Sequence, residues 1–173
     1  MEYLLFALPG LLLALWATFM TRSTFEKYKE VPASSGMSGA EAAAKMLAQC
    51  GIHNVKIEEP SGFLSDHYDP TSLTLRLSPD VYAGRSLSSI GVACHEAGHA
   101  IQHAAAYFPL HLRSGLVPMT NISSYLSYFV LTAGLLLNTP KLILIGAIIF
   151  SVAVIFSIVT LPVEGDASAR AKA

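Results

Sequence analysis

The sequence predicts a mainly α-helical membrane protein: about three transmembrane helices, an N-terminal anchor plus a hairpin, with a small α+β domain facing the cytoplasm. Three observations carry that expectation. Apolar residues make up 53% and charged residues only 13% of the 173-residue chain, and the mean hydropathy is +0.50. Such proportions depart from a soluble globular domain toward the bilayer. Three apolar stretches are long enough, singly or in pairs, to read as spans. The polar segment between them carries His95-Glu96-Ala97-Gly98-His99, with small and apolar residues continuing a helical pattern on both sides.

The elements follow in chain order. Tyr3 to Met20 holds no charge and covers the first span, within an anchor over 1–21. A secretory leader is the competing reading, but Met1-Glu2 offers no basic start and no small-x-small site follows Trp16. Residues 22–37 form a linker that includes Val31-Pro32-Ala33-Ser34-Ser35-Gly36-Met37. The polar domain is expected over 38–115. Ser38 and Glu41 make a capping-box pattern that opens a helix through Ala48, closed by Gly51 as a left-handed cap. Val55 and Ile57, then Leu73, Leu75 and Leu77, alternate with period two and predict two short strands joined by a connection through Pro60 to Pro70. Ser78-Pro79-Asp80 ends the second strand, and a turn near Gly84 leads into the helix bearing His95.

The hairpin is expected over 116–161. Its first arm, Ile122 to Leu137, is short and carries Ser123, Ser124, Ser127 and Thr132; its second, Leu142 to Leu161, is almost wholly apolar. Asn138-Thr139-Pro140-Lys141 supplies the turn between them. Residues 162–173 read as the start of a further helix that Pro162 redirects. Arg22, Lys27, Lys29, Arg113, Arg170 and Lys172 flank the spans on one side against Lys141 on the other. That bias places 21–121 and the tail in the cytoplasm of a multi-pass cell-membrane protein. The net charge of -1 offers no nucleic-acid signal. Cys50 and Cys94 are too few and too far apart for a disulfide framework, and fit a reducing compartment.

The His-Glu-x-x-His run should arise by chance in roughly one chain of this length in a few hundred. On a helix, His95 and His99 stand one turn apart and can share an ion, while Glu96 lies close enough to take a proton from water. A neutral imidazole pair favours Zn²⁺, and a catalytic zinc takes one more protein ligand. Asp66, His67, Asp69, His103 and His111 are candidates, although His103 lies about 12 Å along the helix axis from His95. The acidic residues before Pro70 suit a turn better. Glu164 is the stronger candidate, because a carboxylate directly after a span calls for pairing or a metal.

His95 through His103, Asp66-His67-Tyr68-Asp69-Pro70, Leu77 through Tyr82 and Leu161-Pro162-Val163-Glu164 together resemble the YugP-type neutral zinc metallopeptidases of bacterial membranes, over nearly the whole chain. The resemblance implies a membrane-embedded zinc endopeptidase with a gluzincin-like site, comparable in layout to the HtpX proteases. It implies His95, His99 and Glu164 as zinc ligands and Glu96 as general base, acting on peptide or membrane-protein substrates at the lipid bilayer. His103, His67 or Tyr68 is then expected to stabilise the oxyanion, and Asp166 either orients a ligand imidazole or is a solvated carboxylate. The strand around Leu73 to Leu77 is a candidate for edge pairing with substrate. Gly165 stands where the family carries a bulky aromatic, which weakens the expected Glu164 helix, and the family's chains continue past the end reached here. The competing class is a catalytically silent zinc-binding scaffold, its site closed by Asp66, His67 or Asp69 as a fourth ligand. A metal-handling protein is disfavoured by the absence of ionisable residues within the spans.

Overall fold

The computed structural model describes residues 2–60 and 66–172. Its elements are α1 (Glu2–Lys29), α2 (Gly39–Gln49), β1 (Lys56–Glu58), β2 (His67–Asp69), β3 (Thr74–Arg76), α3 (Pro79–Tyr82), α4 (Leu87–Ala104), α5 (Phe108–Leu136) and α6 (Pro140–Arg170). Two compact units divide the chain, the first ending at Glu96 and the second beginning at Ala97, so the division falls inside α4.

In the first unit, the capping box forms as its residues require. Glu41 N–H donates to Ser38 Oγ at 3.2 Å, and Ser38 N–H donates to the Glu41 carboxylate at 2.7 Å. At the other end of α2, Gly51 takes φ +73°, a conformation that costs a Cβ-bearing residue roughly 1 kcal/mol or more. Ala42, Ala43 and Leu47 of α2 are buried, as are Leu75 and Leu77 around β3 and Val81 in α3. Each large aliphatic side chain taken fully from water contributes roughly 1.5–3 kcal/mol.

The sheet has the order β1-β3-β2, with β1 parallel and β2 antiparallel to β3. Leu75 lies opposite Ile57 on one side and Tyr68 on the other. This corrects the expected edge pairing at Leu73 to Leu77: β3 is the central strand, its ladder groups already taken by neighbours. It also corrects the Asp66–Pro70 loop, where His67-Tyr68-Asp69 forms β2 before Pro70, which has no N–H to extend a ladder. The remainder of the expected connection, 61–65, lies outside the described residues.

The second unit is dominated by the α5–α6 pair. Asn138, at φ +49°, turns the chain between the helices, and Thr139 N–H closes α5 on Gly134 O at 2.9 Å. The serines that make the first arm read as a weak span have a structural explanation. Ser123 and Ser127 are buried in the pair, and their hydroxyls donate to Thr120 O and Ser124 O on their own helix. The outer face carries Ile122, Tyr125, Tyr128 and Phe129, each about 70% exposed (67–73%). Among the described residues one helix, α6, is long and apolar enough to cross a membrane, fewer than the three spans expected. Nor does α6 end at Pro162 to begin a new helix; it continues through Gly165 to Arg170. Proline removes one ladder hydrogen bond at a cost of roughly 3 kcal/mol, and burial of Val163 and Ala167 just beyond it helps the helix continue.

The β2–β3 turn yields a pH-dependent prediction. Asp69 accepts hydrogen bonds from the Ser72 hydroxyl, the Arg76 guanidinium and the Thr71 amide, which hold its carboxyl far below the usual range. A depressed carboxyl pKa stabilises the fold above the unfolded value of about 4, and that stabilisation is lost as pH falls below it. Asp69→Asn is expected to loosen the turn by about 1–2 kcal/mol at pH 7, read from hydrogen exchange at the Thr71 and Ser72 amides. The difference from wild type should narrow below about pH 4; a gap independent of pH would contradict the assignment.

Candidate metal centre

Ser86 precedes helix α4, and its Oγ accepts the Ser89 N–H at 3.2 Å. Because α4 runs unbroken from Leu87 to Ala104, His95 and His99 are spaced by one helical turn. His95 and Glu96 are half-buried, and His99 is buried. The third participant comes from α6. Glu164 Oε2 lies 3.5 Å from His99 Nε2, and one ligand atom each from His95, His99 and Glu164 fall within 4.8 Å of one another.

A backbone contact accounts for the approach of α6. A Cβ on Gly98 would stand 2.6 Å from Ala167 O, so only a residue without one lets the two backbones come this close. Ala167, on the α6 side of this contact, is fully buried. Glu164 lies three residues before Ala167 and so shares its face of α6. The glycine inside the His-Glu-x-x-His motif therefore positions the carboxylate arriving from the far end of the chain.

Hydrogen bonding around His99 defines which nitrogen meets Glu164. Nδ1 lies 3.0 Å from Gln102 Oε1, leaving Nε2 toward the carboxylate. Gln102 is wholly buried, and its Nε2 donates to Val163 O and to Asp166 Oδ2, both at 2.8 Å. Arg170 Nε donates to the same Asp166 oxygen at 2.6 Å. On the other oxygen of Glu164, Oε1, Arg113 Nη2 approaches to 4.0 Å, while its guanidinium lies over the Phe156 ring.

The donor set fits zinc. Two imidazoles and a carboxylate are its usual ligands, and at normal bond lengths the edge of a tetrahedral site is about 3.4 Å. The 3.5 Å separation of His99 Nε2 and Glu164 Oε2 matches that edge. Two electron-rich atoms at that distance repel unless a cation or proton lies between them.

The other sequence candidates make contacts of their own. His103 packs edge-on against His111, ring centroids 5.7 Å apart. His67 and Tyr68 lie on β2, where burial, then the Asp69 charge, pushes the Tyr68 phenol up. Asp66 accepts from Ser78 N–H and Oγ, and Asp69 from its own turn, so both act as the turn formers their surroundings suggest. Asp166 is not simply a solvated carboxylate: it reaches His99 through Gln102. Gln102 and Arg113 were not singled out from sequence as site residues. Gln102 had a legible signal, a buried amide three residues past a ligand histidine on the same helix face; Arg113, brought in by the α5–α6 pairing, had none.

A histidine pair and a carboxylate from a second helix, with a glutamate beside the first histidine, define the chain as a candidate zinc hydrolase of the His-Glu-x-x-His type. Residues 3–173 match the family described as "Putative neutral zinc metallopeptidase", and the chain belongs to that family. It is 46% identical over 172 residues to the Bacillus subtilis (strain 168) protein named "Putative membrane protease YugP", covering 99% of this chain and 76% of the relative. No solved structure matches.

Gly98→Ala is expected to lower stability by about 1–3 kcal/mol, since the added methyl must push α4 from α6. The same displacement should weaken zinc binding. Thermal unfolding and chelator competition on the purified variant check the two effects, and an unchanged zinc affinity would break the link between the seam and the site.

Proposed function

We propose that this chain is a membrane-embedded zinc endopeptidase. The observation that carries the reading is the convergence of His95, His99 and Glu164 on one point beside Glu96, in a chain of a zinc-metallopeptidase family. His95, His99 and Glu164 hold the ion. When bound, zinc supplies Lewis acidity that acidifies water and polarises a carbonyl. Glu96, one residue along from His95, accepts the proton of the attacking water and returns it to the leaving amine. Arg113 draws Glu164 Oε1 aside, which leaves Oε2 facing His99. His103, His67 and Tyr68 remain the proposed oxyanion donors.

In the membrane reading, α1, α5 and α6 cross the bilayer. Support comes from the apolarity of α6 and from the exposed large apolar side chains along all three, among them Leu13, Phe19, Ile122, Leu144 and Ile158. The positive residues at the span ends support a cytoplasmic peptidase domain. Its substrates are peptides or membrane proteins presented near the lipid boundary.

Zinc content and peptide cleavage, measured together on purified protein, test the proposal. Glu96→Gln should keep its zinc and lose about 10²–10⁴-fold in cleavage rate. His99→Ala and Glu164→Gln should lose zinc as well as activity. Cleavage that survives in Glu96→Gln excludes Glu96 as the base, and zinc without cleavage in the wild type supports a silent scaffold instead.

A further inference from the structure

We infer that Gln102 is a positioning residue that fixes the tautomer of His99, and that Val163 O sets the direction of the whole hydrogen-bond relay. The inference deepens the zinc reading, and its metal-affinity arm rests on that reading. The argument begins at an atom with no freedom of role: a backbone carbonyl only accepts. Gln102 lies 2.8 Å from Val163 O, so the atom facing it must be the amide nitrogen. Its second hydrogen goes to Asp166 Oδ2, also at 2.8 Å. Both amide hydrogens are then committed to α6. Oε1 therefore faces the other way, 3.0 Å from His99 Nδ1, and it too only accepts. His99 Nδ1 must carry the hydrogen, and in the neutral ring Nε2 is left with a lone pair. Nε2 lies 3.5 Å from Glu164 Oε2.

Flipping the amide would set Oε1 against both Val163 O and the Asp166 carboxylate, three acceptors with no hydrogen among them. Arg170 reinforces the direction by donating to Asp166 Oδ2 from the last turn of α6. Because Gln102 is wholly enclosed, water cannot stand in for any of these partners. Its bonds to Val163 and Asp166 also bracket Glu164 in sequence, so one side chain orients a ligand imidazole on α4 and grips the segment of α6 that carries the carboxylate.

The experiment uses the full-length protein in detergent, metal-free and at pH 8, with ¹⁵N-labelled histidine. The His99 ring, assigned by comparison with His99→Gln, should carry a hydrogen on Nδ1, whether Nε2 is bare or shares a proton with Glu164. In Gln102→Met, which keeps the volume but removes both donor and acceptor, the Nδ1–H population should fall, and zinc affinity by chelator competition should drop 10–100-fold. Asp166→Asn can still accept from Gln102, so it should keep the Nδ1–H ring and hold zinc within a few-fold of wild type. A wild-type ring with no hydrogen on Nδ1 overturns the inference even where Gln102→Met does not fold. A folded Gln102→Met variant of reduced thermal stability but unchanged tautomer and zinc affinity overturns it too, reducing Gln102 to packing. A wild type with the Nδ1–H ring but no zinc affinity supports the relay and overturns the metal reading, so the two failures are told apart.

Discussion

Everything at the candidate site depends on a close passage of two backbones. At Gly98 and Ala167, α4 and α6 come nearer than a methyl group permits, and the side chains flanking the contact then have no choice of neighbour. The imidazole of His99 and the carboxylate of Glu164 meet at 3.5 Å because they stand one residue and three residues from that point. With a Cβ at position 98 the helices would have to part, and the carboxylate would stand further from the imidazole. Ala167 contributes little hydrophobic energy, but it is small enough to let the backbones meet. Position, here, is obtained by leaving atoms out.

The polar relay complements that contact. A seam of alanine and glycine has few features to fix rotation or sliding of one helix on the other. Gln102 adds them, since its three hydrogen bonds have definite directions and lie in a place closed to water. Buried polar groups left half-satisfied cost about 1–3 kcal/mol each, so any slip of α6 by a fraction of a turn is opposed at several atoms at once. The relay therefore selects a register, and the register places Glu164.

Much of this was legible in the chain itself. His95, Glu96 and His99 could be grouped because helical spacing is a local property. Glu164 could be singled out because a carboxylate after an apolar run is costly without a partner. Ser38, Gly51 and Asn138 announced their caps and turn by side-chain chemistry that acts within a few residues. What could not be read depended on long-range pairing. Tyr68 joins a strand only because Leu75 lies beside it, and β3 proves central only once β1 and β2 flank it. Pro162 carries a local rule for breaking helices, and the burial of Val163 and Ala167 outweighs it. Ser123 and Ser127 made the first hairpin arm look polar because periodicity does not say which face meets a neighbour.

The means of assembly also bears on what kind of metal site this is. In structural zinc sites four protein ligands close around the ion, and the metal supplies much of the folding energy. Here α4 and α6 approach closely at Gly98 and Ala167 and are bridged by the hydrogen bonds of Gln102. Among the described residues three donors converge, the number a catalytic zinc takes from its protein. The acidic side chains that would supply a fourth are engaged elsewhere, Asp66 on Ser78 and Asp69 on Ser72 and Arg76. Three ligands beside a glutamate is the set that zinc-assisted hydrolysis asks of a protein.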